Sequence, residues 1–392
     1  MKESVFKNPV PLSLFHYCLN CFTNAGPATV ETLCQQLTFS VPDRFTQRQR
    51  KRKPHQRQTE AHTQAAGGRL STSFMDTRAI FKASGFLILT VISIPSNLFI
   101  CCAFLHTRLT EAKLTPADVI LCHLAIANLT SAFTRSFPQM LTAFGCQNLY
   151  DDIGCKMVLY FYRVSRTLSI KLTCLLSTYQ AVLVAPATSI LDCLKLKIPK
   201  YLQHIIVSFY GFCFATSVHS ILFCYSKLIN NTVPPYTFNY EYCYLTYPDY
   251  TVVISVGLSL FFRDFAFIVM MAVMSCYILV LLYRHGKKVK NLRSSDNGTS
   301  GSRAETKASR AVVTLVILYT VFFGVDNAIW LYSLSIVRVA PLISDIRGFF
   351  AILYTSVCPV VVIATNPKVK AKLKLPKFKS LPHSIDTSSS TM

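Results

Sequence analysis

Acidic residues are scarce in this chain: 18 Asp and Glu stand against 40 Lys and Arg, a formal net charge of +22. Charge of either sign is scarce as well, at 15% of residues, where a soluble domain carries about 25%. Tryptophan occurs once in 392 residues. The signatures of catalysis are missing: no nucleophile elbow, no phosphate-cradling glycine loop ahead of a lysine, no His-Glu-x-x-His. No CxxC pair stands beside histidines at zinc spacing, and Cys18-Leu-Asn-Cys21 is isolated. No long polar stretch exists to house a catalytic domain. The sequence therefore reads as a non-enzyme with no metal and no cofactor.

What the chain has is apolar length. Residues are 52% hydrophobic and the mean hydropathy is +0.38. A helical span needs about 20 mostly apolar residues. Seven blocks qualify: Ala79–Leu105, Ala117–Ala143, Gly154–Val184, Tyr201–Phe223, Tyr250–Tyr283, Ser309–Ser333 and Ile346–Ala364. The second is interrupted by Arg135 and Pro138, the third by Arg163, Arg166 and Lys171. Cys101, Cys102, Cys122, Cys174, Cys213, Cys276 and Cys358 lie inside these blocks, where they read as small packing residues. No internal repeat recurs, which argues against a transporter built from repeats.

The basic residues fall in short runs between the blocks, which suits membrane topology better than a nucleic-acid surface. One set of loops is rich in them, including Lys197, Arg284, His285, Lys288 and Arg303, and continues into the Lys368–Lys379 tail. The other set holds Arg78, Lys82, Lys227, Arg338 and Arg347. The positive-inside rule makes the richer set cytoplasmic. The fold class follows: an all-α membrane protein, a seven-transmembrane-helix bundle with its N-terminus outside and its C-terminus cytoplasmic. Residues 1–74 form a basic extension expected to be disordered, with Met75 as the favoured working start. Residues 75–366 form the helical domain, and 367–392 a Lys-rich then Ser/Thr-rich cytoplasmic tail.

Several stretches carry a resemblance. The second span reads Ile120-Leu-Cys-His123, then Arg135-Ser-Phe-Pro138-Gln139-Met140. The third opens Gly154-Cys155-Lys156, continues Tyr162-Arg163-Val164-Ser165-Arg166, and closes Cys174-Leu-Leu-Ser177-Thr-Tyr-Gln180-Ala181. Leu194-Lys-Leu-Lys-Ile-Pro199, Phe262-Arg263-Asp264, Leu282-Tyr283-Arg284-His285 and Arg303-Ala304-Glu305 follow in order. This ordered set, over about Met75 to Leu373, resembles the vomeronasal type-1 receptors, which are seven-helix G protein-coupled pheromone receptors. The broader rhodopsin-like pattern is only loosely kept. Thr178-Tyr179-Gln180 replaces Asp-Arg-Tyr, no Cys-Trp-x-Pro occurs, Cys358-Pro359 stands for Asn-Pro, and Asn366-Pro367 comes late. The resemblance implies a chemosensory receptor at the plasma membrane of a chemosensory neuron. Its partners would be a small semiochemical, membrane lipid and a heterotrimeric G protein of the inhibitory class, with no nucleic acid. A small-solute transporter and a non-signalling partner of other receptors are the alternatives.

Cys155, at the outer start of the third span, and Cys243, in the loop before the fifth, both face an oxidising compartment. Bonded, they would pin that loop over the outer mouth; two free thiols are the alternative. Cys146 and Cys224 form a second candidate pair. Of three sequons, Asn230-Asn-Thr232 lies in an outer loop and is the expected glycosylation site. Asn128 falls inside a span and Asn297 on the cytoplasmic side.

Ionisable side chains inside a span cost about 2.5–3.5 kcal/mol each on insertion scales. They pair, or they line a wet cavity. Arg163, Arg166, Arg263, Asp264 and Asp326, with Tyr160 and Phe323, are the candidate ligand-binding residues. Two readings stay open: a pocket whose guanidinium forks take an anionic or oxygen-rich ligand, or an Arg–Asp network that fixes packing. Tyr162, Phe262, Phe265, Phe322, Trp330 and Tyr354 are further candidates for the wall. Gln180, Lys197, Arg284, His285, Lys288 and Arg303 are the candidate G protein-facing residues.

Overall fold

The computed structural model describes residues 68–111, 114–186, 193–227, 234, 236–292, 300–334 and 341–373. Residues 1–67, and with them the run from Arg48 to Arg57, lie outside this set, as do Asn230 and Asn297. Seven helices are long and apolar enough to cross a membrane: Ala79–Thr110, Pro116–Ala143, Asp152–Val184, Leu194–Leu222, Tyr250–Arg284, Ser309–Ser333 and Leu342–Thr365. Each coincides with one of the seven apolar blocks.

In chain order the helices are α1 (Gly68–Glu111), α2 (Pro116–Ser131), α3 (Phe137–Ala143), α4 (Asp152–Val184), α5 (Leu194–Thr216), α6 (His219–Leu222), α7 (Tyr250–Leu292), α8 (Ser300–Leu334), α9 (Pro341–Thr365) and α10 (Pro367–Leu373). Three short strands, β1 (Cys224–Tyr225), β2 (Thr237–Asn239) and β3 (Tyr244–Thr246), form an antiparallel sheet in the order β1-β3-β2. Local chemistry sets the helix ends. Thr115 and Asp118 make a reciprocal capping box at the start of α2. The Asp151 carboxylate accepts from the Gly154 N–H at 2.8 Å and opens α4. The late Asn366-Pro367 is a cap: Asn366 Oδ1 accepts from the Lys368 N–H at 2.9 Å, and Pro367 takes the first position of α10.

The second span is broken by a π-helical turn at Ala132–Ser136. Pro138 has no N–H to offer the carbonyl of Thr134, so the ladder rearranges just before it. That turn swings Arg135 into the bundle, where it is buried.

The most buried span is α4, which packs against α2, α5, α7 and α8 and so forms the axis of the bundle. Without a water-driven hydrophobic force between helices, polar stitches matter. Asn97 Nδ2 and Ser93 Oγ both donate to the Thr355 carbonyl, at 3.1 and 3.0 Å, joining α1 to α9. Ser169 Oγ donates to Asn128 Oδ1 at 3.1 Å, joining α4 to α2. Asn128 is therefore a buried packing residue. At the end of the bundle opposite the sheet, Lys368 of α10 reaches Asp118 at 2.8 Å.

Candidate functional site

The segment between α6 and α7 closes one end of the bundle. Its anchor is the Cys155–Cys243 disulfide, with Cα atoms 5.7 Å apart. A second anchor is Glu241, held by Lys82 of α1 and by Gln139 Nε2 of α3 at 2.6 Å. Lys82 also reaches Asp345 of α9 at 2.9 Å. Glu241 adopts a positive φ of 70°, a conformation a side chain takes only when its surroundings hold it there. The Asn239 side chain adds to that hold by accepting the Glu241 N–H at 2.6 Å. Cys146 is disulfide-bonded and Cys224 is a free thiol, so the candidate pair of these two does not form. Burial pushes the Cys224 thiol up to about 11.

Beneath this cap is a cavity lined by α4, α7, α8, α9 and the cap itself. Arg163, Arg166, Arg263, Asp264, Phe323 and Asp326 all line it, so six of the seven candidate ligand residues come together. Tyr160 does not: its hydroxyl donates to the Phe214 carbonyl of α5 at 3.0 Å, on another face of α4. Among the further wall candidates Trp330 lines the cavity, whereas Phe262 is 62% exposed on the outer surface of the bundle. Lys171 is buried against α5 and α7, its ammonium 4.6 Å from the Phe212 ring centre and 4.5 Å from that of Phe267.

Charge in the cavity is unequal: four guanidiniums, of Arg163, Arg166, Arg263 and Arg347, face two carboxylates, of Asp264 and Asp326. Arg263 is satisfied locally by Asp264 at 2.8 Å, Thr167 at 2.8 Å and Thr216 at 3.1 Å. Asp326 is shared, accepting from Arg166 of α4 at 2.5 Å and from Arg347 of α9 at 3.2 Å. Arg163 meets no carboxylate among the described residues; its guanidinium donates to the Tyr240 hydroxyl at 3.1 Å. Burial acts to raise the Tyr240 phenol, but the guanidiniums of Arg163, Arg347 and Arg135 outweigh it and hold the phenol below its ordinary value. The candidate network and the candidate pocket are thus one place.

Sequence reasoning missed Arg347 and the cap residues Phe238, Tyr240 and Tyr247. Arg347 sits at the edge of the last apolar block and reads as a loop charge. The cap residues belong to a loop whose path is fixed by the disulfide, by Glu241 and by the small sheet together. Trp330 packs so closely on Gly257 that a side chain there would collide with its ring.

On the opposite end, Lys197 is exposed on α5 and Arg284 on α7. Gln180 is buried and its side-chain carbonyl has no partner among the described residues. The side chains of His285, Lys288 and Arg303 lie outside the described residues.

The architecture is a seven-helix transmembrane bundle. The structure superposes on squid rhodopsin with a TM-score of 0.57, covering 76% of this chain and 85% of that one at 16% identity. Residues 82–374 match the model of the vomeronasal organ pheromone receptor family. Relatives include the olfactory receptor class A-like protein 1 of Danio rerio, 41% identical over 76% of this chain and 93% of its own. Another is vomeronasal type-1 receptor 1 of Homo sapiens, 30% identical over 63% and 69%. The chain belongs to the vomeronasal type-1 receptor family. It is a chemosensory G protein-coupled receptor, a multi-pass plasma-membrane protein and not an enzyme.

Proposed function

We propose that the receptor binds a small anionic or oxygen-rich semiochemical in the cavity beneath the cap, with that end outside the cell, and activates a G protein of the inhibitory class. The observation that carries this reading is the surplus of guanidiniums over carboxylates in a cavity walled by Phe323 and Trp330. A carboxylate or sulfate matches a guanidinium fork in charge and in shape. The rings supply the apolar wall that a small-molecule site needs.

Asp326 gives the ligand a route to the opposite end. It ties α8 to α4 through Arg166 and to α9 through Arg347. An anion entering the cavity competes with Asp326 for the same forks. The arrangement with α8 released then binds the anion better than the arrangement with α8 held, and that difference in affinity is what shifts the population. The far ends of α7 and α8 part, and the basic edge that includes Lys197 and Arg284 meets the G protein. The positive-inside bias of the loops supports this orientation.

The test is nucleotide exchange on purified inhibitory-class G protein, with membranes holding the receptor challenged by carboxylated, sulfated and neutral volatile pools. Exchange driven by the acidic pools alone is the expected result. Exchange driven by neutral pools alone contradicts the anionic reading. Silence in every pool together with a flat baseline favours a receptor that supports others without signalling, a reading that Thr178-Tyr179-Gln180 in place of Asp-Arg-Tyr keeps open.

A further inference from the structure

Arg135 lies outside the cavity, behind residues that line it or touch its arginines. The π-helical turn that precedes Pro138 aims it between the second span and the cap. Its side chain is 7% exposed, and it meets no carboxylate among the described residues. What surrounds it is tyrosine. The guanidinium carbon is 4.5 Å from the ring centre of Tyr240, 5.5 Å from that of Tyr162 and 5.9 Å from that of Tyr242. It also donates to the Tyr242 hydroxyl at 3.4 Å, and that hydroxyl in turn donates to the Thr134 carbonyl, to which Pro138 offers no N–H, at 3.3 Å.

Two of these tyrosines meet arginines of the anion site: Tyr240 lines the cavity, and Tyr162 lies behind it. Tyr240 accepts from Arg163 at 3.1 Å and Tyr162 accepts from Arg166 at 3.5 Å. One buried guanidinium therefore lies against both rings whose hydroxyls touch the two α4 guanidiniums of the cavity. A cation over a ring face is attracted to it and favours one ring orientation. Fixing each ring plane fixes the direction of its hydroxyl. Each hydroxyl then biases the plane of the fork it meets, and with it the donors left for a ligand.

We propose that Arg135 is a positioning residue of the anion site, aligning the Arg163 and Arg166 forks through Tyr240 and Tyr162. The proposal rests on the anionic reading of the cavity given above. It adds a residue from the second span, which contributes nothing to the cavity wall, to the set that determines ligand preference. A planar guanidinium is needed for this role; an ammonium carries the charge without the broad flat face.

Trp330 provides the readout, because it lines the same cavity and is the only tryptophan in the chain. The full-length receptor in zwitterionic lipid nanodiscs is titrated with iodide, a quenching anion, and with neutral acrylamide. The ratio of the two quenching constants reports how well the site draws an anion to Trp330. Wild type is expected to favour iodide. Arg135→Lys, which keeps the charge, is expected to lower the ratio about fivefold at an unchanged melting temperature. Tyr240→Phe, which keeps the ring and removes the hydroxyl, is expected to lower it similarly. The double variant should be no worse than either single one, as residues in one chain of contacts require.

A wild-type preference for iodide that survives both Arg135→Lys and Tyr240→Phe overturns the positioning role and leaves the anionic cavity standing. Effects of the two that add in the double variant also overturn it. No iodide preference in wild type removes the anionic cavity and the positioning role together. If Arg135→Lys fails to fold, Tyr240→Phe and Tyr162→Phe decide: an unchanged ratio in both overturns the proposal, and a lowered ratio supports it.

Discussion

Asp326 is a single carboxylate between two guanidiniums on different helices, Arg166 on α4 and Arg347 on α9. Removing its charge leaves both cations facing the cavity without their shared partner. Asp326→Asn is therefore expected to raise basal nucleotide exchange, since α8 loses its tie to α4. A variant with wild-type basal exchange at normal surface level would contradict that tie. Cysteine makes a second prediction at this scale. Cys224 is fully buried, its thiol is pushed up to about 11, and its sulfur lies within 4.8 Å of the sulfurs of the Cys155–Cys243 disulfide. The thiolate is the reactive form, so Cys224 should resist maleimide in the folded receptor at pH 7 and react only after denaturation. Mass spectrometry of the labelled peptide checks this. Cys155→Ser, which frees the cap and exposes a thiol pair to exchange, should abolish surface expression, read by flow cytometry on intact cells.

The elements were legible wherever a long apolar run announced them. All seven spans appear where the sequence placed them, because a stretch of about 20 apolar residues has few other fates. Their ends were legible less well. The apolar criterion ends the first span near Leu105 and begins the fourth at Tyr201, whereas more polar turns carry α1 to Glu111 and start α5 at Leu194. Nothing in the residue pattern announces the π-helical turn except Pro138, which marks its place. The cavity was half legible. Costly charges in spans pointed to Arg163, Arg166, Arg263, Asp264 and Asp326, but the cap that covers them has no periodic pattern, and Arg347 looked like a loop residue. At this scale Gly257 gives a direct test. The Trp330 ring occupies the space a side chain would need, so Gly257→Ala should displace the ring toward the cavity. Displacing a packed ring costs about 1–3 kcal/mol. A melting temperature several degrees lower and a weaker ligand response are expected. An unchanged melting temperature and response would show that the two helices do not approach this closely.

For the whole molecule, the disulfide and the ties from Lys82 and Gln139 to Glu241 gather the capped end, while Asp118, Asn366 and Lys368 tie α10 to α2 at the other. Between them runs α4, the most buried span, in contact with α2, α5, α7 and α8. If the proposed ligand site and the basic edge at the other end are coupled, a helix that both sites bias must connect them. In this account the helix is α8, held through Asp326. The most direct measurement is the concentration dependence of ligand-driven nucleotide exchange for wild type and Arg166→Ala, compared at matched surface level. Losing one fork of the proposed anion site is expected to move the half-maximal concentration upward by about tenfold or more. An unmoved half-maximal concentration would place the ligand elsewhere and reduce the arginine-lined cavity to a packing network.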